Sequence, residues 1–214
     1  MKDFETRFYD ANIEKREDSK PGMIYGRPIV FNSVADIGYF DEVIMPGALD
    51  ETDLTDVRLC LNHDTSYVYA RSRRNNPNST MRLMPDANGM NIEAELDIEG
   101  SPAARDLYSA IMRSDLDKMS FMFSVADDEW ENLDTEHPLR RIKKIRSVVE
   151  VSAVTFPAYY STDIYARSKE ALESARSALE NARQQRAAEV ETSKKQTDNS
   201  LLLLKEQTKT LTLK

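Results

Sequence analysis

Lys118-Met119-Ser120-Phe121-Met122-Phe123-Ser124-Val125 is the stretch on which the fold turns. Met119, Phe121, Phe123 and Val125 alternate with Ser120, Met122 and Ser124, which predicts a strand with one bulky apolar face. Outward from it, Val57, Leu59 and Leu61 alternate with Arg58, Cys60 and Asn62, and Met90, Ile92, Ala94 and Leu96 with Asn91, Glu93, Glu95 and Asp97. Asp86-Ala87-Asn88-Gly89 carries the residues a hairpin turn needs, so Met81 to Met84 is expected to pair with the strand after it. Val148 to Thr155 is a nearly continuous β-branched run, the pattern of a strand covered on both faces. One helix is clear, opening at Ser101-Pro102 and carrying Ala104, Leu107, Tyr108, Ile111 and Met112 at helical spacing to about Asp115. Several strands with few helices imply an α+β fold, mainly an antiparallel sandwich or barrel with helices packed outside.

The 214 residues divide by composition. The last glycine is Gly100, the last proline Pro157 and the last aromatic Tyr165, so the bulky residues a core needs end near Tyr165 to Ser168. Residues 1–166 are read as one globular domain and 167–214 as a charged helical tail. Leu172, Ala175, Leu179 and Ala182 form a short seam that Arg186 interrupts, and Thr192 to Lys214 lacks a pattern that would order it alone. The acidic N-terminus does not read as a signal peptide, and no run approaches the ~20 apolar residues that span a bilayer. A single cysteine excludes a disulfide framework and fits a reducing compartment. The net charge of −8 argues against a nucleic-acid binder. The local clusters Arg71-Ser72-Arg73-Arg74 and Arg140-Arg141-Ile142-Lys143-Lys144 are read as solvated faces.

Few residues can carry chemistry. Of two histidines, His137 follows the acidic segment Asp127 to Glu131 in a turn-like setting, whereas His63 ends the strand Val57 to Leu61. A strand end suits a general base, because a rigid element positions it and the loop beyond leaves access. Neither His-x-x-x-His nor Cys-x-x-Cys occurs, so no metal site is expected. Cys60 falls on the opposite strand face from His63 and is read as a small buried filler. Ser120 is held by apolar neighbours as a pre-organised nucleophile must be, although periodicity alone favours an ordinary strand serine. Glu150 interrupts an uncharged run and therefore needs either an exposed face or a partner, a histidine or an Arg or Lys.

Five segments, in order, resemble the prohead (capsid maturation) proteases of tailed phages, a serine peptidase family related in fold to the herpesvirus assemblins. They are Ile24 to Asn32, Phe40-Asp41-Glu42-Val43-Ile44-Met45-Pro46-Gly47-Ala48-Leu49, Leu61-Asn62-His63-Asp64, Met119-Ser120-Phe121-Met122-Phe123, and Val149-Glu150-Val151-Ser152 continuing to Phe156-Pro157-Ala158. The resemblance implies an assemblin-like fold and a triad of Ser120 as nucleophile, His63 as base and Glu150 as orienting carboxylate. Met122 departs from the family's glycine at that position; with Ser124 it shares the Ser120 face and is expected to line the substrate cleft. Further expectations follow from the resemblance: no cofactor; the major capsid protein or its scaffold segment as substrate, with self-cleavage; contact with portal and other prohead proteins; a homodimer; and action inside the prohead in the host cytoplasm. An inactive homologue serving as internal scaffold is the alternative.

Overall fold

The alternating stretch around Ser120 lies mid-sheet in a computed structural model that describes residues 4–7, 13–14, 20–155 and 175–196. In chain order the strands are β1 (Glu5–Arg7), β2 (Ile13–Glu14), β3 (Met23–Val30), β4 (Val34–Asp36), β5 (Asp41–Ile44), β6 (Val57–Leu61), β7 (Ala70–Ser72), β8 (Met81–Asp86) and β9 (Gly89–Glu95). Helix α1 (Pro102–Met112) follows, then the long strands β10 (Lys118–Glu131) and β11 (Leu139–Val154). The Ser101 hydroxyl caps α1 by accepting from the Ala104 amide at 3.2 Å.

The fold is α+β and mostly strand, but the expected barrel is not closed among the described residues: the strands form two separate sheets. One runs β1-β10-β11-β5-β4, with β6 on β11 and β7 on β6; the other runs β2-β3-β9-β8. Pairing is antiparallel except where β11 meets β5 and β6, which are both parallel to it. The length of β11 explains this. Leu139 to Ile142 pairs with β5 and Glu150 to Ala153 with β6, so one strand edge serves two partners in succession. With β10 on its other edge, the Val148–Val154 half of β11 is almost wholly buried, in keeping with its nearly continuous β-branched run.

The β8–β9 hairpin forms at the expected turn, and Gly89 is needed there. Its φ is +141°, and a Cβ on it would lie 1.9 Å from the Ile29 carbonyl oxygen. Buried Ile24, Ile29, Met81, Met90 and Ile92 of the second sheet join Leu59, Met119, Phe121, Phe123 and Val151 of the first in one core with α1.

The acidic segment Asp127 to Glu131 belongs to β10, where it faces the basic run of β11. Glu131 pairs with Arg141 at 2.6 Å and Asp128 with Arg140 at 2.6 Å, while Lys143 lies 3.5 Å from Glu129. Arg140 is buried and Arg141 half-buried, whereas Lys143 and Lys144 are exposed, so the solvated face that composition suggested is confined to the two lysines.

By chain contacts the protein falls into two units, Met1–Ala175 and Arg176–Lys214. The predicted boundary at Tyr165 to Ser168 lies outside the described residues. In the second unit residues 176–196 are helical, with Arg176–Glu180 and Lys195–Glu191 pairs one turn apart at 2.8 and 2.7 Å. The helix thus continues into the Thr192 stretch that sequence pattern did not order; residues 197–214 lie outside the described part. No helix among the described residues is long and apolar enough to cross a membrane.

Candidate active site

Three elements converge on one chain of hydrogen bonds. Ser120 projects from β10 between Met119 and Phe121, both buried, and the rings of Phe121 and Phe123 pack 4.7 Å apart behind it. Glu150 projects from β11 and is 2% exposed. His63 stands just past β6, in a turn where Asn62 and His63 both take left-handed φ of 51° and 60°. Such backbone is costly for non-glycine residues and persists only where surroundings impose it. Here β11 imposes it: the Asn62 amide donates to the Ala153 carbonyl at 2.9 Å, and the Asn62 side-chain oxygen accepts from the Thr155 amide at 3.0 Å.

His63 Nε2 lies 2.6 Å from Ser120 Oγ, and His63 Nδ1 lies 2.6 Å from Glu150 Oε2. In a neutral ring, Nδ1–H donates to the carboxylate and Nε2 accepts from the hydroxyl, which is the tautomer a general base needs. The imidazole edge is 17% exposed, so the serine and the carboxylate are enclosed while the base between them is reachable.

Sequence reasoning missed Ser152. Its hydroxyl donates to Glu150 Oε1 and accepts from the His63 backbone amide at 3.0 Å, so one side chain holds both the carboxylate and the turn that carries the imidazole. The signal was available in the spacing, since residues 150 and 152 share one strand face. Of the two residues expected to line the cleft, Met122 is half-buried opposite Thr6 of β1. Ser124 is buried, with its hydroxyl 2.8 Å from that of Ser147.

Cys60 is fully buried in β6, and burial followed by the nearby Glu150 charge pushes its thiol up to about 12. A protonated, enclosed thiol is not a competing nucleophile. His137 sits far along the chain with Asp36 and Asp41, its Nε2 3.1 Å from Asp41 Oδ1, and these three could offer ligand atoms to an ion. They are exposed or half-exposed surface groups, an arrangement common without any metal.

Beside the triad lies a second feature absent from sequence reasoning, a buried ion cluster. Arg7 of β1 donates from Nε to Glu42 Oε1 at 2.7 Å and also pairs with Glu5. Arg140 donates to Glu5 through Nη1 at 2.6 Å and Nη2 at 3.0 Å, and to Glu42 at 3.0 Å. Burial alone would raise the Glu5 carboxyl, but the Arg7 and Arg140 guanidinium groups outweigh it and the net shift is downward. For Arg7, burial opposes the charge, and Glu42 and then Glu5 overcome it, so its net shift is upward. β1 itself pairs with β10 beside the nucleophile, with Arg7 opposite Phe121, and the Arg7 carbonyl oxygen lies 2.9 Å from Ser120 Oγ. The serine therefore has one proton and two acceptors in reach, and it is wholly enclosed.

Comparison with known proteins gives a consistent picture. A family model described as caudovirus prohead serine protease matches residues 9–176. The chain is 29% identical over 154 residues to the prohead protease of Enterobacteria phage HK97, which covers 71% of this chain and 62% of that relative's length. No solved structure matches it.

Proposed function

Because this chain belongs to the caudovirus prohead serine protease family, we propose that it is a serine endopeptidase of phage capsid maturation, working through Ser120, His63 and Glu150. The observation that carries the reading is the unbroken hydrogen-bond chain from Ser120 Oγ through both ring nitrogens of His63 to Glu150, 2.6 Å at each link. His63 Nε2 takes the Ser120 proton as Oγ bonds to the scissile carbonyl carbon, and Glu150 stabilises the imidazolium so formed. The imidazolium then protonates the leaving amine as the peptide C–N bond breaks. Water, deprotonated by His63, attacks the acyl-enzyme and releases the acid, and the proton returns to Ser120.

The substrates in this reading are scaffold segments of the capsid protein and the chain itself, cleaved inside the prohead within the host cell. Residues 1–166 form the protease domain, with an assemblin-like arrangement of the strands and a homodimer as the working form. Residues 167–214 are a charged tail that engages capsid, scaffold or portal proteins. Met122 contacts the substrate strand, and Ser124, on the same face of β10, backs it through its bond to Ser147. An inactive scaffold homologue is disfavoured because serine, histidine and carboxylate are all present in bonding geometry.

Co-expression with the capsid protein of the same phage tests the reading. Wild type should shorten the capsid protein, and Ser120→Ala should leave it full length. A capsid protein left intact by both, in particles that nonetheless mature, would favour the scaffold alternative.

A further inference from the structure

The strand β1 lies where a peptide would have to lie to be cut. β10 carries the nucleophile, one of its edges is paired with β11, and β1 takes the other edge in antiparallel register, Glu5 opposite Phe123 and Arg7 opposite Phe121. Adding an extended segment to an open sheet edge is a general mode of peptide recognition, in which main-chain bonds give affinity and pockets for alternate side chains give specificity. The Arg7 carbonyl oxygen accepts from Ser120 Oγ at 2.9 Å, which places the main chain of β1 directly beside the nucleophile.

The side chains of β1 are as telling as its backbone. A strand face turned toward a core is usually apolar, and inward charge on an edge strand has to be met by a partner. β1 instead turns Glu5 and Arg7 inward, and both are buried. The body of the protein meets each with the opposite charge: Glu42 of β5 accepts from Arg7 Nε at 2.7 Å, and Arg140 of β11 grips both carboxylate oxygens of Glu5 at 2.6 and 3.0 Å. Glu42 and Arg140 are themselves bonded to each other at 3.0 Å, so the receiving surface is a fixed pair of opposite charges side by side. Thr6, between the two inward residues, lies opposite Met122 and is only half-buried, so its position is read less strictly.

We propose that β1 occupies the substrate channel, and that the enzyme selects peptides with a basic residue immediately before the scissile bond and an acidic residue two positions earlier, read by Glu42 and Arg140 respectively. The proposal rests on Ser120 being the nucleophile. Buried, charge-assisted contacts of this kind discriminate strongly, because the wrong side chain leaves a desolvated charge without its counterpart. In this role β1 is a built-in competitor that a matching peptide displaces.

Internally quenched peptides test it on the full-length chain. Three are needed: one containing Glu-Thr-Arg-Phe-Tyr, one with citrulline in place of Arg, and one with Gln in place of Glu. Citrulline keeps the shape of Arg and removes the charge, so kcat/KM should fall about 100-fold, with cleavage of the parent peptide after Arg. The Gln peptide should lose about 10-fold. Glu42→Gln should shrink the Arg-to-citrulline ratio to about 10-fold or less; if that variant does not fold, the three peptides decide alone. Equal cleavage of the Arg and citrulline peptides overturns the proposal. So does a chain whose Ser120 is labelled by a fluorophosphonate but which cuts none of the three. A Ser120→Ala chain that still cuts them removes the nucleophile assignment itself, an outcome distinct from a nucleophile that is right with a specificity that is wrong.

Discussion

Replacing Glu150 by Gln keeps the length and shape of the side chain and removes one charge from the site. The amide oxygen can still accept from His63 Nδ1, and the new N–H₂ faces the Ser152 hydroxyl that now donates to Oε1, so the fold should survive. What is lost is the attraction between carboxylate and imidazolium, which exists only once His63 has taken the serine proton. The contact is 2.6 Å between atoms, which places the two charge centres about 4 Å apart. At an effective dielectric constant of about 20, unit charges at that separation interact by about 4 kcal/mol, equivalent to about 10³-fold in rate. Initial rates of peptide cleavage at saturating substrate measure it, with the far-ultraviolet dichroism and melting temperature of both proteins as the control for folding. A folded Glu150→Gln enzyme with kcat within about tenfold of wild type would refute the role given to Glu150.

Three further outcomes are expected from the same geometry. Ser152→Ala removes the hydroxyl that ties Glu150 to the His63 amide, so unfolding free energy in urea should fall by about 1–3 kcal/mol and kcat by about 10- to 100-fold through loss of alignment; an unchanged rate would confine Ser152 to packing. Gly89→Ala forces a Cβ against the Ile29 carbonyl at a φ of +141°, and a loss of about 2–4 kcal/mol is expected, read as a lower urea midpoint without change in slope. The hydrogen bond from Arg27, ahead of lesser contributions, holds the Asp86 carboxyl down at about 2. A carboxyl depressed on folding stabilises above its unfolded value near 3.8, and that contribution disappears as pH falls through about 2. Arg27→Gln should therefore narrow the difference in urea midpoint between pH 5 and pH 2, and an unchanged difference would show that the pair does not contribute.

Local signals in the sequence were sufficient for local structure. Asp86 to Gly89 specified the β8–β9 hairpin, Ser101-Pro102 the start of α1, and the nearly continuous Val148–Thr155 run a buried strand, because each depends on neighbours in the chain. Pairings across the chain were not legible in the same way. Asp127 to Glu131 resembles an exposed acidic loop and Arg140 to Lys144 an exposed basic one. Only their register across β10 and β11 reveals that they neutralise each other. Alternation did contain the burial of Arg140, which shares a strand face with buried Ile142, but nothing local named Glu5 and Glu42 as its partners. The site shows the same division. Periodicity supplied a rigid Ser120 and an anomalous Glu150, and motif resemblance joined them to His63; the Ser152 brace and the β1 strand over the nucleophile required the three-dimensional arrangement.

The measurement that bears most directly on Ser120 is a pair of kcat/KM values on one cleavable peptide. Ser120→Ala should lose at least about 10⁴-fold, while Ser124→Ala, whose hydroxyl bonds to Ser147 rather than to His63, should stay within about tenfold of wild type. A Ser120→Ala enzyme that cleaves normally, with the loss appearing in Ser124→Ala instead, would contradict the account.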